Sequence, residues 1–136
     1  MQREKITSTF LKREVTVDVY LPRYYHTNHL TPKLLVMNDG QDAGAYKLHD
    51  SMVDAEVTLK INPVLALAVH VGERKQEYGI TDRPDFAYRG GKAGLYAKFI
   101  EKELLPWARK EFRLAPGPEN AAIAGFSLGA LSAFDV

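Results

Sequence analysis

Residues 120–129 read NAAIAGFSLG, and this stretch is the strongest indication of the fold. A short apolar run leads into a glycine, a serine and a second glycine, each separated by one residue, and apolar residues follow. A strand, this five-residue motif and a helix in that order are typical of a nucleophile elbow. The sequence therefore predicts a sharp strand-to-helix turn that presents the hydroxyl of Ser127.

The residue types of the motif have physical reasons. Gly125 and Gly129 carry no side chain that would crowd a sharp turn. Such a turn lifts the serine hydroxyl clear of the sheet and directs the next backbone N–H, that of Leu128, at a developing oxyanion. Taken alone, the motif also arises by chance, because its residues are common. The strand and helix around it favour the elbow.

The segments before this turn contain several strand patterns. Residues 5–10 and 14–21 predict a hairpin, because apolar and polar residues alternate along the second of them. Continuous apolar runs at residues 33–38 and 64–71 predict strands that are covered on both faces, as in a parallel sheet. The last strand is predicted at residues 121–124.

Helical patterns separate these strands. An apolar stripe of helical spacing predicts a helix after the strand at 33–38, and its members are Leu48, Met52, Ala55 and Leu59. Residues 91–112 predict a longer helix that is kinked or broken at Pro106. The order predicts an α/β fold in one domain, residues 1–136: a mostly parallel sheet entered by an antiparallel hairpin, with helices on both faces.

Composition excludes several classes of protein. A net charge of +1 over 136 residues favours neither nucleic acid nor an anionic membrane as a partner. The absence of cysteine excludes disulfides and a cysteine nucleophile. The longest apolar stretch, residues 64–69, is too short to cross a bilayer. No signal peptide is visible, which favours a cytoplasmic location, and we expect no metal and no cofactor.

Three loops follow the predicted parallel strands and are expected on one rim around Ser127, because functional groups gather at the carboxyl ends of such strands. The loop at residues 38–44 is either an ordinary Asp-Gly turn or the source of a second oxyanion donor. The charged stretch at residues 73–89 is solvated surface, a lid over the substrate or a contact for an acidic substrate. The candidates for substrate contact on this rim are Asp42, Arg74, Glu77 and Tyr78.

The four histidines, His26, His29, His49 and His70, all precede Ser127. In this architecture the chain order is serine, acid, histidine, so none of them is predicted to be the catalytic base. His26 and His29 have a spacing that a metal could use, but they lack companion ligands and are predicted to be surface residues. His70 follows a buried strand and is predicted to be a hydrogen-bonded structural residue.

The ordered motifs resemble the putative esterase family of α/β-hydrolases, the group that contains esterase D, enterochelin esterase and the mycolyltransferases. The resemblance covers essentially the whole chain and rests on residues 19–22, 34–42, 74–79, 90–91, 96–106 and 124–129. It implies Ser127 as the acyl-forming nucleophile and the backbone N–H groups of Leu128 and Gln41 as oxyanion donors. One departure is Ala130, where members often carry a further glycine.

The resemblance also implies that the family's acid and histidine lie beyond Val136. The predicted function is therefore a serine hydrolase of small-molecule carboxylic esters, present as an N-terminal fragment that is inactive by itself. Two alternatives stay open: a non-enzymatic binding or assembly module that keeps the scaffold, and a half-enzyme completed by another chain. In the family's sheet the last strand has a further neighbour, so we expect an oligomer or a second chain to cover its edge.

Overall fold

A computed structural model describes residues 1–27, 29, 31–85 and 87–136, and it contains a five-stranded sheet. The strands are β1 (Gln2–Ser8), β2 (Arg13–Tyr20), β3 (Lys33–Met37), β4 (Val64–Val69) and β5 (Ala121–Ala124). Their spatial order is β1-β2-β4-β3-β5. β1 pairs antiparallel with β2, and β2 pairs antiparallel with β4. β3 pairs in parallel with β4 on one side and with β5 on the other.

The alternation predicted for the second hairpin strand holds only over residues 14–17, because Asp18 and Tyr20, on its other face, are buried as well. Val15, Val17 and Val19 are fully buried on one face of β2. β4 is buried on both faces from Leu65 to Val69, which agrees with its continuous apolar sequence. The parallel arrangement of β3, β4 and β5 brings their carboxyl ends to one edge of the sheet, where the loops carrying the predicted site begin.

Helices cover both faces of the sheet, as predicted. On one face α3 (Ala93–Phe99) and α4 (Leu105–Glu111) pack against the valine face of β2 and against the odd-numbered residues of β4. On the other face α1 (Leu48–Val57) packs over Ala66, Ala68 and Met37. A short helix, α2 (Arg74–Glu77), follows β4, and α5 (Leu128–Asp135) follows β5. Leu128 and Val136 contact the same core as α3, so α5 lies on that face.

The predicted break near Pro106 takes the form of a π-helical segment, Ile100–Leu104, between α3 and α4. Proline lacks the N–H that would bond the carbonyl four residues earlier, and its ring crowds the preceding turn. A wider turn ahead of Pro106 relieves this crowding, and the proline then sits in the first turn of α4, where a missing N–H is tolerated. Ile100 and Leu104 remain buried, so the core face continues through the π-helical segment.

One residue of the predicted α1 stripe is wrongly placed. Leu59 lies beyond the end of α1, with φ of 55°, and 89% of its surface is exposed. The helix ends earlier than its apolar spacing suggested because the chain turns left-handed at Leu59, where the Leu59 N–H donates to the carbonyl of Glu56 at 3.1 Å and the Lys60 N–H to that of Ala55 at 2.9 Å. Among the described residues, no helix has the length and apolarity needed to cross a membrane.

Candidate active site

Ser127 lies between the end of β5 and the start of α5, so the predicted strand-to-helix turn is confirmed. Its backbone has φ of 51° and ψ of −121°, a region that residues other than glycine rarely adopt. A conformation of this kind costs on the order of 1–3 kcal/mol and persists where the surrounding structure enforces it. The residue is exposed, so the strained turn presents the serine to solvent.

This turn requires glycine at two positions, because neither position has space for a side chain. A Cβ added to Gly125 would lie 2.5 Å from the backbone carbonyl of Gly129. A Cβ added to Gly129 would lie 2.9 Å from Oδ2 of Asp39 and 3.4 Å from the ring of Tyr78. The first turn of α5 therefore presses both on the end of β5 and on the loop after β3. We call residues 125–129 the Ser127 turn.

The two predicted donor N–H groups each lie in the first turn of a helical segment. Leu128 is the first residue of α5, and Gln41 lies in a 3₁₀ turn, Gly40–Asp42. The first N–H groups of a helical turn have no acceptor within it and remain available to a ligand. The loops that carry them are adjacent, because the Asn38 N–H donates to the carbonyl of Ala124 at 2.8 Å. This bond continues the pairing of β3 with β5 as far as the site.

A buried hydrogen-bond network joins the loop after β3 to α3 and α5. The side-chain amide of Asn38 donates to the carbonyl of Gly129 at 2.8 Å, and the hydroxyl of Tyr96 donates to Oδ1 of Asn38 at 2.6 Å. The Asp39 N–H donates to the hydroxyl oxygen of Tyr78 at 2.9 Å. Burial raises the pKa of Tyr78 and of Tyr96, so both hydroxyl groups stay neutral. The network therefore fixes the Ser127 turn without placing a charge in the core.

Arg74, in α2, connects all three loops. Its Nε donates to Oδ1 of Asp39 at 2.9 Å, and its Nη2 donates to Oδ2 of Asp39 at 3.0 Å. The same Nη2 donates to the carbonyl of Phe126 at 3.2 Å. Hydrogen bonding to Asp39 raises the pKa of Arg74, so the guanidinium stays charged. The loops after β3, β4 and β5 thus meet at one rim, as the parallel strands predicted.

The four predicted rim residues separate into two groups. Arg74 is partly exposed and Asp42 is exposed, so both are accessible beside the Ser127 turn. The placement predicted for Glu77 and Tyr78 is wrong, since each is at most 2% exposed and lies beneath the rim. Glu77 accepts hydrogen bonds from Arg13 and from the Gly72 N–H, while the hydroxyl of Tyr78 supports Asp39. These two side chains hold the loop after β4 and do not face solvent.

Gln41 contributes its side chain as well as its backbone. Its Oε1 accepts from the Val71 N–H at 3.2 Å, and its Nε2 donates to Oδ1 of Asp39 at 3.1 Å. This side chain bridges the loops after β3 and β4. The 3₁₀ turn is also held from below, because a Cβ on Gly40 would overlap the carbonyl of Ala68. The position of the Gln41 N–H is therefore set by contacts with β4 and with the loop that follows it.

Sequence reasoning missed three contributors: Asn38, Tyr46 and Tyr96. The hydroxyl of Tyr46 donates to the carbonyl of Asp39 at 2.8 Å, and its ring lies 5.1 Å from that of Phe126. Burial raises the pKa of Tyr46 to about 12. Asn38 had one usable signal, a polar residue at the end of a buried strand. Tyr46 and Tyr96 had none, because a tyrosine in an apolar position looks like any other aromatic residue.

The described contacts of the histidines lie away from the Ser127 turn. Nε2 of His70 lies 2.8 Å from Oδ2 of Asp18, which Arg3 also binds, so His70 is a hydrogen-bonded residue at the end of β4, as predicted. His29 contacts Arg113, and His26 packs on Tyr25. Within the described residues there is no cluster of three or more side chains that could ligate a metal.

Comparison with known families agrees with this geometry. The family model described as Putative esterase matches residues 8–134, so the chain belongs to the putative esterase family. The resemblance seen in the ordered motifs is thereby confirmed. A comparison with curated protein sequences finds no match.

Solved structures share the fold. An IroE-like serine hydrolase from Shewanella oneidensis is 23% identical with a TM-score of 0.77, over 96% of this chain and 44% of that one. The enterochelin esterase of Shigella flexneri is 17% identical with a TM-score of 0.78, over 97% and 31%. A ferulic acid esterase is 20% identical with a TM-score of 0.73, over 94% and 50%. The chain spans half or less of the length of these proteins.

Proposed function

We propose that this chain carries the nucleophile and the oxyanion hole of a serine carboxylic-ester hydrolase, with Ser127 as the nucleophile. The observation that carries the proposal is the backbone of Ser127, held at φ of 51° and ψ of −121° between two glycines that leave no room for a side chain. Strained residues of this kind concentrate at functional sites. Membership of the putative esterase family and the likeness to an IroE-like serine hydrolase support the same activity.

In the proposed reaction, Oγ of Ser127 attacks the ester carbonyl carbon as its proton passes to a base. The carbonyl oxygen becomes an oxyanion, which accepts hydrogen bonds from the N–H groups of Leu128 and Gln41. Collapse of this intermediate breaks the bond to the alcohol, which leaves with a proton, and an acyl-serine remains. Water then attacks the acyl group, releases the carboxylic acid and restores the serine.

The proposal assigns no base or acid within residues 1–136. The described contacts of the histidines lie elsewhere, and in this architecture the acid and the histidine follow the serine along the chain. A serine hydroxyl without a base is a weak nucleophile at neutral pH. We therefore propose that residues 1–136 react slowly by themselves and fast when a base and an acid are supplied.

The substrate is proposed to be a small-molecule ester. Phe126 is 54% exposed beside the partly buried ring of Tyr46, and the two rings give the rim an apolar surface next to Ser127. Arg74 and Asp42 add polar groups at the same rim. A flat acyl group can pack against the two rings while the alcohol portion faces solvent.

The proposal is tested with a serine-directed fluorophosphonate and with hydrolysis of aryl esters. Both assays are run on residues 1–136 and on the longest product of the gene. We expect slow labelling of residues 1–136, fast labelling and turnover in a product that supplies a base and an acid, and loss of both in Ser127→Ala. Ser51→Ala is the matched control, because Ser51 is an exposed serine on α1.

Two results would overturn the proposal. Labelling that persists in Ser127→Ala, or a labelled peptide that lacks residue 127, would exclude Ser127 as the nucleophile. If every product of the gene shows neither labelling nor turnover, the binding or assembly module is favoured instead.

A further inference from the structure

The guanidinium of Arg74 binds the two loops that carry the proposed oxyanion donors. Three of its N–H bonds are used: two reach the carboxylate of Asp39, and one reaches the carbonyl of Phe126. Asp39 directly precedes the 3₁₀ turn that holds Gln41, and Phe126 directly precedes Ser127. One rigid planar group therefore spans the space between the donor loops from the side of α2.

Each of these contacts constrains a donor. Asp39 has φ of 58°, a left-handed conformation that sets the direction in which the Gly40–Asp42 turn leaves β3. The carbonyl of Phe126 belongs to the peptide that links Phe126 to Ser127, so holding it limits rotation of the backbone that leads to Leu128. With both held by the same side chain, a change in Arg74 alters the distance between the Gln41 and Leu128 N–H groups.

The geometry requires an arginine. The two parallel bonds to Asp39 are the bidentate arrangement that a planar guanidinium forms and that a lysine ammonium cannot. The guanidinium carbon also lies 5.6 Å from the centre of the Tyr78 ring, whose hydroxyl supports the Asp39 N–H. The contact with the Tyr78 ring and the two bonds to Asp39 together fix the orientation of the guanidinium group.

We propose that Arg74 is a positioning residue that sets the separation of the two backbone donors, Leu128 N–H and Gln41 N–H. The inference rests on the proposed function only in naming these groups as oxyanion donors. A role in which Arg74 instead attracts an anionic substrate by its charge makes a different prediction. In that case lysine would keep most of the function, whereas a bridging role fails in lysine because the fork is lost.

The first test measures the donors directly and needs no activity. Backbone amide resonances of Gln41 and Leu128 are compared between the unsubstituted chain, Arg74→Lys and Asp39→Asn in ¹H–¹⁵N spectra. We expect the resonances of both amides to shift in each variant. The double variant should add little to either single one, because both remove the same bridge. Arg113→Lys is the matched control, since Arg113 also lies over a tyrosine ring, Tyr25, and donates to a backbone carbonyl.

The second test is the rate of fluorophosphonate labelling in the most reactive product of the gene. We expect Arg74→Lys to slow the labelling step about 10- to 100-fold while half-saturation by the probe stays nearly constant, because a displaced donor affects the transition state. Melting temperature is recorded for each variant, so that a loss through unfolding is recognised. Failure of the proposed function appears separately, as labelling that does not depend on Ser127.

Unchanged resonances of Gln41 and Leu128 in Arg74→Lys would overturn the inference whether or not the protein hydrolyses esters. A labelling rate that lysine preserves and alanine removes would also overturn it, in favour of charge attraction. Shifted amides together with slower labelling support the positioning role.

Discussion

The two ends of the sheet are held in different ways. At the hairpin end, charged pairs cross between strands and loops, and they are Arg3–Asp18, Lys5–Glu14 and Arg13–Glu77. At the β5 end, the charged pair Arg74–Asp39 lies at the rim, and further contacts are close packing at Gly125 and Gly129 and neutral bonds such as that of Asn38 to the Gly129 carbonyl. The edges differ too, because β1 presents charged residues whereas β5 is the small apolar sequence of residues 121–124.

The two edge strands, β1 and β5, differ in how well they resist pairing with another chain. Charges along an edge strand oppose pairing with other chains, and the hairpin edge has them. The β5 edge lacks them and borders apolar grooves of about 310 and 260 Å³, and the helix after it, α5, exposes Leu131 and Phe134. The end of the sheet near Ser127 is therefore closely packed within the Ser127 turn but has an uncharged edge strand, β5. The edge strand at the hairpin end, β1, carries charged side chains.

The largest effect is expected at the hairpin end, in Glu77→Gln. Glu77 is 2% exposed and lies 2.6 Å from Nη2 of Arg13, so the substitution leaves a partly buried cation without its partner. Removing one member of a buried pair costs about 3 kcal/mol. The measurement is the free energy of unfolding in urea. Lys5→Gln, in an exposed pair, is the control and should change it by less than about 0.5 kcal/mol. Equal losses in the two variants would contradict the contrast.

The next effect is at the Ser127 turn, in Gly125→Ala. The added Cβ would meet the Gly129 carbonyl at 2.5 Å, and overpacking of this kind costs about 2 kcal/mol. Gly44→Ala is the control, because a Cβ there meets no atom within 4 Å. Thermal melts of both variants check the prediction. A Gly125→Ala protein as stable as Gly44→Ala would show that the turn is looser than described.

A smaller effect is expected from acid. Burial opposes ionisation of Glu77, but hydrogen bonds from Arg13 and the Gly72 N–H outweigh it and lower its pKa. The bond from Arg3 likewise lowers the pKa of Asp18. Because both carboxyl groups bind protons more weakly in the folded chain, their stabilisation is present at neutral pH and is lost as the pH falls below about 4.5 and through the folded pKa.

Urea unfolding at a series of pH values measures this loss. The decline should be shallower in Glu77→Gln than in the unsubstituted chain, since one of the responsible groups is gone. Parallel pH profiles for the two proteins would assign the acid sensitivity to other groups.

The smallest effect concerns the β5 edge, which we propose is covered by a second copy or by another chain. Residues 1–136 alone should then self-associate as concentration rises, as sedimentation measurements would show. Ala122→Lys places a charge on the edge strand and should weaken that association by up to about 1 kcal/mol with little change in melting temperature. A monomer at every concentration would exclude a second copy as the cover of this edge.

The sequence predicted most of the fold because the strongest patterns coincide with burial on one or both faces. Val15, Val17 and Val19 show the period of a half-buried strand, and residues 64–69 show that of a fully buried one. Helix ends were less predictable. Leu59 continues the spacing of α1 but lies outside it, because the helix ends in a left-handed turn at Leu59 and apolar spacing carries no information about such a turn.

At the candidate site, the turn that presents Ser127 could be predicted from the sequence, since two glycines around Ser127 after a short strand leave few backbone alternatives. Which polar side chains face solvent and which hold the loops could not be predicted, because it depends on tertiary contacts. Arg74 and Glu77 are three residues apart in the same short helix, yet one lies at the rim beside Phe126 and the other is buried against Arg13. Their partners are about 35 to 64 residues away along the chain, and long-range pairings of this kind depend on how β2, β3 and β5 are arranged in the sheet.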